Sequence, residues 1–370
     1  MKHKCKWVRL GDYIEQCDER NEALRYGLEY VMGMTITKKI IPTKANLSGN
    51  DLSKFKIVKP NEFIYNPRTH GKKIGLGINN SEKPFLISWN NLAFRICNEQ
   101  ILMPLYLYMI FNRDEWDRLA CYNSWGSSTE VFSWEELCRM SIPLPSLSEQ
   151  QKVVNAWKAF REIKEQNEAI AAPLMQVCQS YIQELKHKYD SVEIGHYITR
   201  IDKRNTDNSI KIVKSVSVTK EFNDTNAKVD KNNLSSYKVV EPGEISYVQT
   251  TGNEKCLCAA VNHYEYPIVV TSVNEVFKTN ELFLLADFLH LWFRRKELDR
   301  YARFHSWGSA RETFTWEDMK RMEIPLPPLN IQRAIVNIYN CANEAKKIAE
   351  EADKKSREVC PALIQYVINN

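Results

Sequence analysis

Slid against itself, the chain matches at one dominant offset of 182 residues. "NSWGSSTEVFSWEELCRMSIPLP" (123–145) lies on "HSWGSARETFTWEDMKRMEIPLP" (305–327), with 14 of 23 positions identical, Trp125, Gly126, Phe132, Trp134, Pro143 and Pro145 among them. Ordinary residue frequencies would give roughly one or two matches in such a window. The same offset carries "DLSKFKIVKPNEFIY" (51–65) onto "NLSSYKVVEPGEISY" (233–247) and "MTITKK" (34–39) onto "VSVTKE" (216–221). Near each start, "LGDYIEQCDERN" answers "IGHYITRIDKRN" with the offset slipped by two. A solenoid repeats every 20 to 50 residues or so, and this period is far longer. The chain must therefore fold as domain, tail, domain, tail, and its 370 residues suffice for two cores.

Each copy reads as mixed α/β. "YVMGMTIT", "EFIYN", "KKIGLGI" and "FLISW" have the β-branched and aromatic content of strands, and Pro60-Asn61 and Pro242-Gly243 mark turns. "MPLYLYMIFNRDEWDRLACY", with Pro104 in its first turn, predicts one helix, and "ADFLHLWFRRKELDRYARF" is its partner. Ser133 with Glu136, and Thr315 with Asp318, predict capping boxes on a short helix before each proline phrase.

The phrases "SIPLPSLSEQQ" (141–151) and "EIPLPPLNIQR" (323–333) change the character of the chain. Their prolines hold the backbone extended, so the preceding helix must stop. Ser148 and Asn330 are the expected helix starts beyond them. In the first tail, steps of four and three select Ala156, Phe160, Ile163, Asn167, Ile170, Leu174, Val177 and Tyr181. Moved by 182, they become Ile338, Ala342, Ala345, Ala349, Ala352, Ser356, Val359 and Leu363. Large residues on one helix facing small ones on the other predict an antiparallel coiled-coil pair. The alternative is that each amphipathic helix covers its own domain. Pro173 and Pro361 should kink or interrupt the tails. The expected division is 1–146 and 189–328 for the domains, and 147–188 and 329–370 for the helices, in a pseudo-twofold arrangement. Some 40 helical residues span about 60 Å, against about 34 Å for one turn of duplex, a scale that suits a bipartite DNA site.

Composition narrows the function. No apolar run approaches the roughly 20 residues of a membrane span, and the start "MKHKCKWVRLGDYIEQ" has no apolar leader region, so a cytoplasmic protein is expected. Ten scattered cysteines, with Cys256 and Cys258 the only close pair, read as reduced thiols and not a metal site. Net charge is only +5, but residues 38–73 hold nine Lys or Arg against Asp51 and Glu62, a local basic field. No phosphate-binding "GxxxxGK[ST]" occurs, and Gly75 with Gly77 is too little for a nucleotide loop. "NPRT" (66–69) lacks the second proline and aromatic of an adenine-methyltransferase clamp, and His70, His196, His263 and His305 stand apart. No catalytic centre is expected.

A proline phrase followed by a polar pair and a long helix, after each of two α/β copies, resembles the specificity subunit of Type I restriction-modification systems. "ANLSGNDLSKFKIVKPNEFIYNP", "VEPGEISY", "FRRKELDRYARFHSWGSARETFTWEDM" and the "DERN" and "DKRN" starts carry the resemblance along essentially the whole chain. At 330–333, "NIQR" departs from the usual Glu-Gln and keeps only Gln332. The resemblance implies two target recognition domains, each reading one half of a split duplex site, and helices that space them and dock two methyltransferase subunits. Those subunits would bind S-adenosylmethionine, and motor-nuclease subunits would join the complex. The specificity subunit itself would need no cofactor and do no chemistry. The competing reading is an adaptor that bridges enzymes without touching DNA.

Within that frame the DNA contacts are expected after the strand "EFIYN", at Arg68, Thr69, His70, Lys72 and Lys73, and after "EISYV", at Gln249, Thr250, Thr251, Asn253 and Lys255. Arg, Asn, Gln and Lys can present directional hydrogen bonds to base edges, while Thr and Lys commonly hold phosphates. Thr37, Lys38, Lys39, Thr219 and Lys220 are expected to position phosphates. Trp125 and Trp307 are expected as buried anchors in preference to stacking surfaces.

Overall fold

The computed structural model describes residues 5–47, 49–70, 73–126, 130–225, 228–250, 256–308 and 312–369, with the side chains of Thr69 and His70 left out. It divides into two compact units, 1–166 with 348–370, and 167–347.

In the first unit, Ile14–Cys17, Leu92–Ile96, Phe63–His70 and Lys73–Ile78 form a four-stranded antiparallel sheet in that order. One face packs on the helices Pro104–Phe111 and Asp114–Tyr122, with Phe63 stacked on Phe94 at 4.9 Å and Phe111 against Trp116 at 4.6 Å. Two-stranded pairs, Met32–Met34 with Ile40–Pro42 and Lys56–Val58 with Phe85–Ile87, complete the domain. The second unit repeats this plan. Its sheet runs Ile198–Ile201, Asn274–Thr279, Ile245–Val248 and Ala259–Val261, with helices Ala286–Phe293, Lys296–Phe304 and Trp316–Lys320. The mixed α/β class is as expected. Asn61 and Gly243 take φ of 67° and 82°, the left-handed turn that Asn and Gly tolerate best.

The single helix expected over each "PLYLYMIF…" stretch is two helices. The break falls at Asn112-Arg113 and at Arg294-Arg295, where Arg113 and Arg295 are extended and the acidic first turns Asp114-Glu115 and Glu297 open a new helix. Thr315 and Asp318 form a full capping box. Ser133 caps Glu136 N–H at 3.2 Å, but Glu136 pairs with Arg139 and does not return the bond.

The proline phrases are strands. Ser141–Leu144 pairs antiparallel with Lys6–Arg9, placing Pro143 opposite Trp7, and Glu323–Pro325 pairs with Ser191–Glu193. Each phrase thus ties the end of a domain to its beginning. Gly11 and Gly195 permit this closure, because a Cβ there would lie 2.7 Å from Cys138 Cβ and 2.8 Å from Lys320 Cβ.

The long helices are Leu147–Lys188 and Leu329–Asn369, and neither Pro173 nor Pro361 ends them. Their starts differ from Ser148 and Asn330: Ser146 accepts from Glu149 N–H through its hydroxyl, and Pro328 offers its carbonyl to Ile331 and Gln332. In the first unit Val153 and Val154 share a core with Cys360, Ile364 and Val367, and Lys164 meets Asp353 at 2.7 Å. In the second, Cys178 Sγ approaches the Ile335 carbonyl at 3.9 Å. The helices therefore run antiparallel within each unit and also close that unit's own domain core.

Their register departs from the expected seam. Ala342, Ala345, Ala349 and Ala352 are buried, and Ala156, Phe160, Leu174, Ile338 and Leu363 are half-buried. Ile163, Ile170, Val177 and Val359 are exposed, because the central helix turns Trp157, Lys164, Ala171 and Cys178 inward, and Cys360 replaces Val359 on the distal helix.

Candidate nucleic-acid interface

The strand Phe63–His70 runs beyond the expected "EFIYN" and passes through a bulge, since its register against Lys73–Ile78 shifts between Tyr65 and Thr69. Arg68 is exposed, and its N–H is turned by a 3.0 Å bond to Asn66 Oδ1. Lys73, also exposed, opens the returning strand opposite His70. Arg68, Thr69, His70 and Lys73 thus sit on hairpin arms, and Lys72 lies outside the described residues. In the second unit the strand ends at Val248, Gln249 and Thr250 follow, and Thr251, Asn253 and Lys255 lie outside the described residues.

Both arms are held by one frame. Phe132 N–H donates to the Pro67 carbonyl and Phe314 N–H to the Gln249 carbonyl, each at 2.8 Å. Arg68 is bridged to Val131 and Thr250 to Thr313. A common backbone frame therefore presents Pro67-Arg68 in one unit and Gln249-Thr250 in the other.

The second unit adds a polar cluster that sequence reasoning missed. Glu275 lies opposite Tyr247, in the place that Leu92 takes opposite Tyr65. It accepts from Arg200 Nε at 2.8 Å, Lys238 Nζ at 3.2 Å and Gln249 Nε2 at 3.0 Å. Burial raises its pKa, but the Arg200 and Lys238 cations outweigh burial and hold it below the usual carboxylate range. Gln249 is thereby oriented, with Arg200 half exposed beside it. The signal available in sequence was only an acid inside a strand-like "NEVFKT".

Lys38 and Lys220 are corrections. Both occupy left-handed turn positions, φ 60° and 63°, and point inward. Lys38 Nζ meets Asp117 at 2.6 Å and Lys220 Nζ meets Asp299 at 2.6 Å, with both lysines buried. Buried ammonium groups committed to carboxylates, Asp117 buried and Asp299 partly exposed, cannot also hold phosphate. Thr37, Lys39 and Thr219 remain exposed at the same turns. The basic field of 38–73 is weaker than its count for the same reason, since Lys56 and Lys59 pair with Asp18 and Glu19 at 2.9 and 2.5 Å. Trp125 and Trp307 are corrections too: they are 70 % and 77 % exposed, because the Gly-linked turn carries them away from the core.

The Lys38 and Lys220 carbonyls are held differently. Tyr108 Oη donates to the first at 2.6 Å, and His290 Nε2–H to the second at 2.9 Å. Burial depresses His290 to about 4. Between pH 6.5 and 4 the unfolded chain then takes up a proton that the folded unit refuses, so stability falls as pH falls through that window, by about 3 kcal/mol. Nearby His263, raised by its bond to Asp287, acts in the opposite direction: its contribution is fully present below pH 6.5 and is lost as pH rises through the raised folded value. Comparing wild type with His290→Tyr by urea unfolding at pH 7 and 4.5 isolates the buried ring, and the variant should lose less stability on acidification.

Among the described residues no group of His, Cys, Asp and Glu is disposed to hold a metal, and no helix is long and apolar enough to cross a membrane. The family model of the Type I restriction modification DNA specificity domain matches residues 184–341. This stretch is a Type I restriction modification DNA specificity domain. The family resemblance of the sequence is thereby borne out. The specificity domain's fold extends to the whole chain: the crystal structure of a Type I restriction-modification system S subunit from M. genitalium aligns over 100 % of this chain and 98 % of its own, with TM-score 0.65 and 12 % identity. The HsdS subunit from Thermoanaerobacter tengcongensis aligns over 100 % and 98 % at 16 % identity, with TM-score 0.41. No curated protein matches the chain.

Proposed function

We propose that the chain is the sequence-reading, non-catalytic subunit of a Type I restriction-modification complex. Each unit reads one half of a split duplex site, and the long helices 147–188 and 329–370 set the spacing and dock two methyltransferase subunits. S-adenosylmethionine belongs to those partners, and motor-nuclease subunits join through the complex. The observation that carries this reading is the shared frame with different contents: equal hydrogen bonds from Phe132 and Phe314 support Pro67-Arg68 in one unit and Gln249-Thr250 in the other. Two copies of one reader that bind different half-sites need this combination. Arg68, Thr69, His70, Lys72 and Lys73, and Gln249, Thr250, Thr251, Asn253 and Lys255, are the proposed contacts, with Thr37, Lys39 and Thr219 on phosphates.

Filter binding of the chain with its methyltransferase subunits on random duplexes tests it. The logarithm of affinity should fall linearly with log salt, and Arg68→Ala should change which sites are preferred. A complex that assembles without salt-dependent DNA binding would leave the adaptor reading in its place.

A further inference from the structure

Tyr122 and Trp125 in the first unit, and Phe304 and Trp307 in the second, stand at matching places in the repeat. They are 82 %, 70 %, 81 % and 77 % exposed. A single exposed aromatic on a surface is ordinary. The same pair left in solvent twice, in domains that have diverged elsewhere, is not explained by packing.

Their position is informative. Trp125 and Val131 exchange backbone hydrogen bonds at 3.1 and 2.9 Å, and Val131 is bridged to Arg68. Trp307 and Thr313 do the same at 3.2 and 3.0 Å, and Thr313 is bridged to Thr250. Each tryptophan therefore rides on a backbone ladder continuous with the arm proposed to read bases. The neighbouring charge is basic in the second unit, where Arg300 and Arg303 are exposed on the helix that ends at Phe304.

We propose that Tyr122 with Trp125, and Phe304 with Trp307, are sequence-independent contacts to DNA, each pair lying against base faces unstacked at its half-site. The proposal rests on the reading function given above. Residues that select bases must differ between units that read different half-sites, as Arg68 and Thr250 do. A contact to something every sequence shares should be alike in both units, as this aromatic pair is. The face of a base is such a feature, since every base presents one to an aromatic ring. Enzymes that modify a base take it out of the stack, and apolar wedges at base steps accompany such distortion.

The test uses the full chain with its methyltransferase subunits and fluorescent duplexes, one carrying the methylated site and one random. The variants are Trp125→Ala/Trp307→Ala and Tyr122→Ala/Phe304→Ala, exposed positions at which folding is checked by unchanged urea unfolding. Each double variant should weaken binding by about tenfold or more. The factor should be alike on both duplexes, and the slope of log affinity against log salt should not change, because no phosphate contact is removed. Wild-type tryptophan emission should be quenched by duplex. Variants that bind DNA as wild type does would overturn the proposal, and so would variants that lose the methyltransferase, which would make the patch a protein interface. A wild-type complex with no salt-dependent DNA binding would instead remove the reading function, and this inference with it.

Discussion

Lys38→Met is expected to destabilise the first unit by about 3–5 kcal/mol, the usual consequence of leaving one member of a buried ion pair alone. The ammonium lies 2.6 Å from Asp117, and both side chains are nearly inaccessible, 4 % and 7 %. Asp117 Oδ1 has no hydrogen-bond partner among the described residues, so its carboxylate depends on Lys38. The same change at Lys220 should harm the second unit less, because Asp299 is partly exposed and keeps the Leu257 N–H at 3.1 Å, although the Phe293 carbonyl loses its lysine donor. Hydrogen exchange resolved by unit is the suitable measurement, since a protein of two units need not unfold in one step. Two controls make the cause explicit. Lys39→Met, at the exposed neighbour, should change stability by less than about 0.5 kcal/mol. Lys38→Met/Asp117→Leu should recover much of the loss, because removing both charges costs far less than removing one. Equal loss in the single and double variants would show that turn geometry, not the ion pair, is what matters there.

The second large effect belongs to a residue that appears in sequence as half of a polar pair. Gln150 is fully buried at the start of the central helix. It donates to the Ile101 and Pro145 carbonyls at 2.8 and 3.0 Å and accepts from Met103 N–H at 2.8 Å. Gln332 repeats the set with Phe283, Pro327 and Leu285 at 2.7, 2.8 and 3.0 Å. One amide thus joins the proline strand, the turn before the domain's first helix and the start of the long helix. Gln150→Leu keeps the size but strands three buried backbone groups, and about 3 kcal/mol of stability should go with them. Gln151→Leu, one residue on and exposed, should be nearly silent in the same urea titration. This also explains why "NIQR" can replace Glu-Gln at 330–333, since the part it keeps is the one that bonds.

The duplication, the α/β class and most strands were legible because they rest on spacing and on apolar content that a strand repeats every second residue. Side-chain direction was less legible. The seam of the long helices follows apolar spacing only in part, since Lys164 and Asp353 form an ion pair inside it while Ile163 and Ile170 face outward. A pattern that counts apolar residues passes over such a pair. Lys38 and Lys220 look like surface lysines in sequence, and only the left-handed turn that directs them at Asp117 and Asp299 gives them away. Trp125 and Trp307 mislead in the opposite sense, because a large aromatic repeated in both copies reads as core although its neighbours are polar or glycine. Glu275 could not have been placed without sheet register, which sets it opposite Tyr247 where the first unit keeps Leu92.

Mapping methylated adenines in the DNA of cells with and without this chain tests the central claim most directly. If two units read two half-sites, the adenines that depend on the chain will fall in a motif of two specified parts separated by a constant unspecified gap, and Arg68→Ala will relax one part while leaving the other intact. One contiguous motif, or methylation indifferent to the chain, would contradict the account.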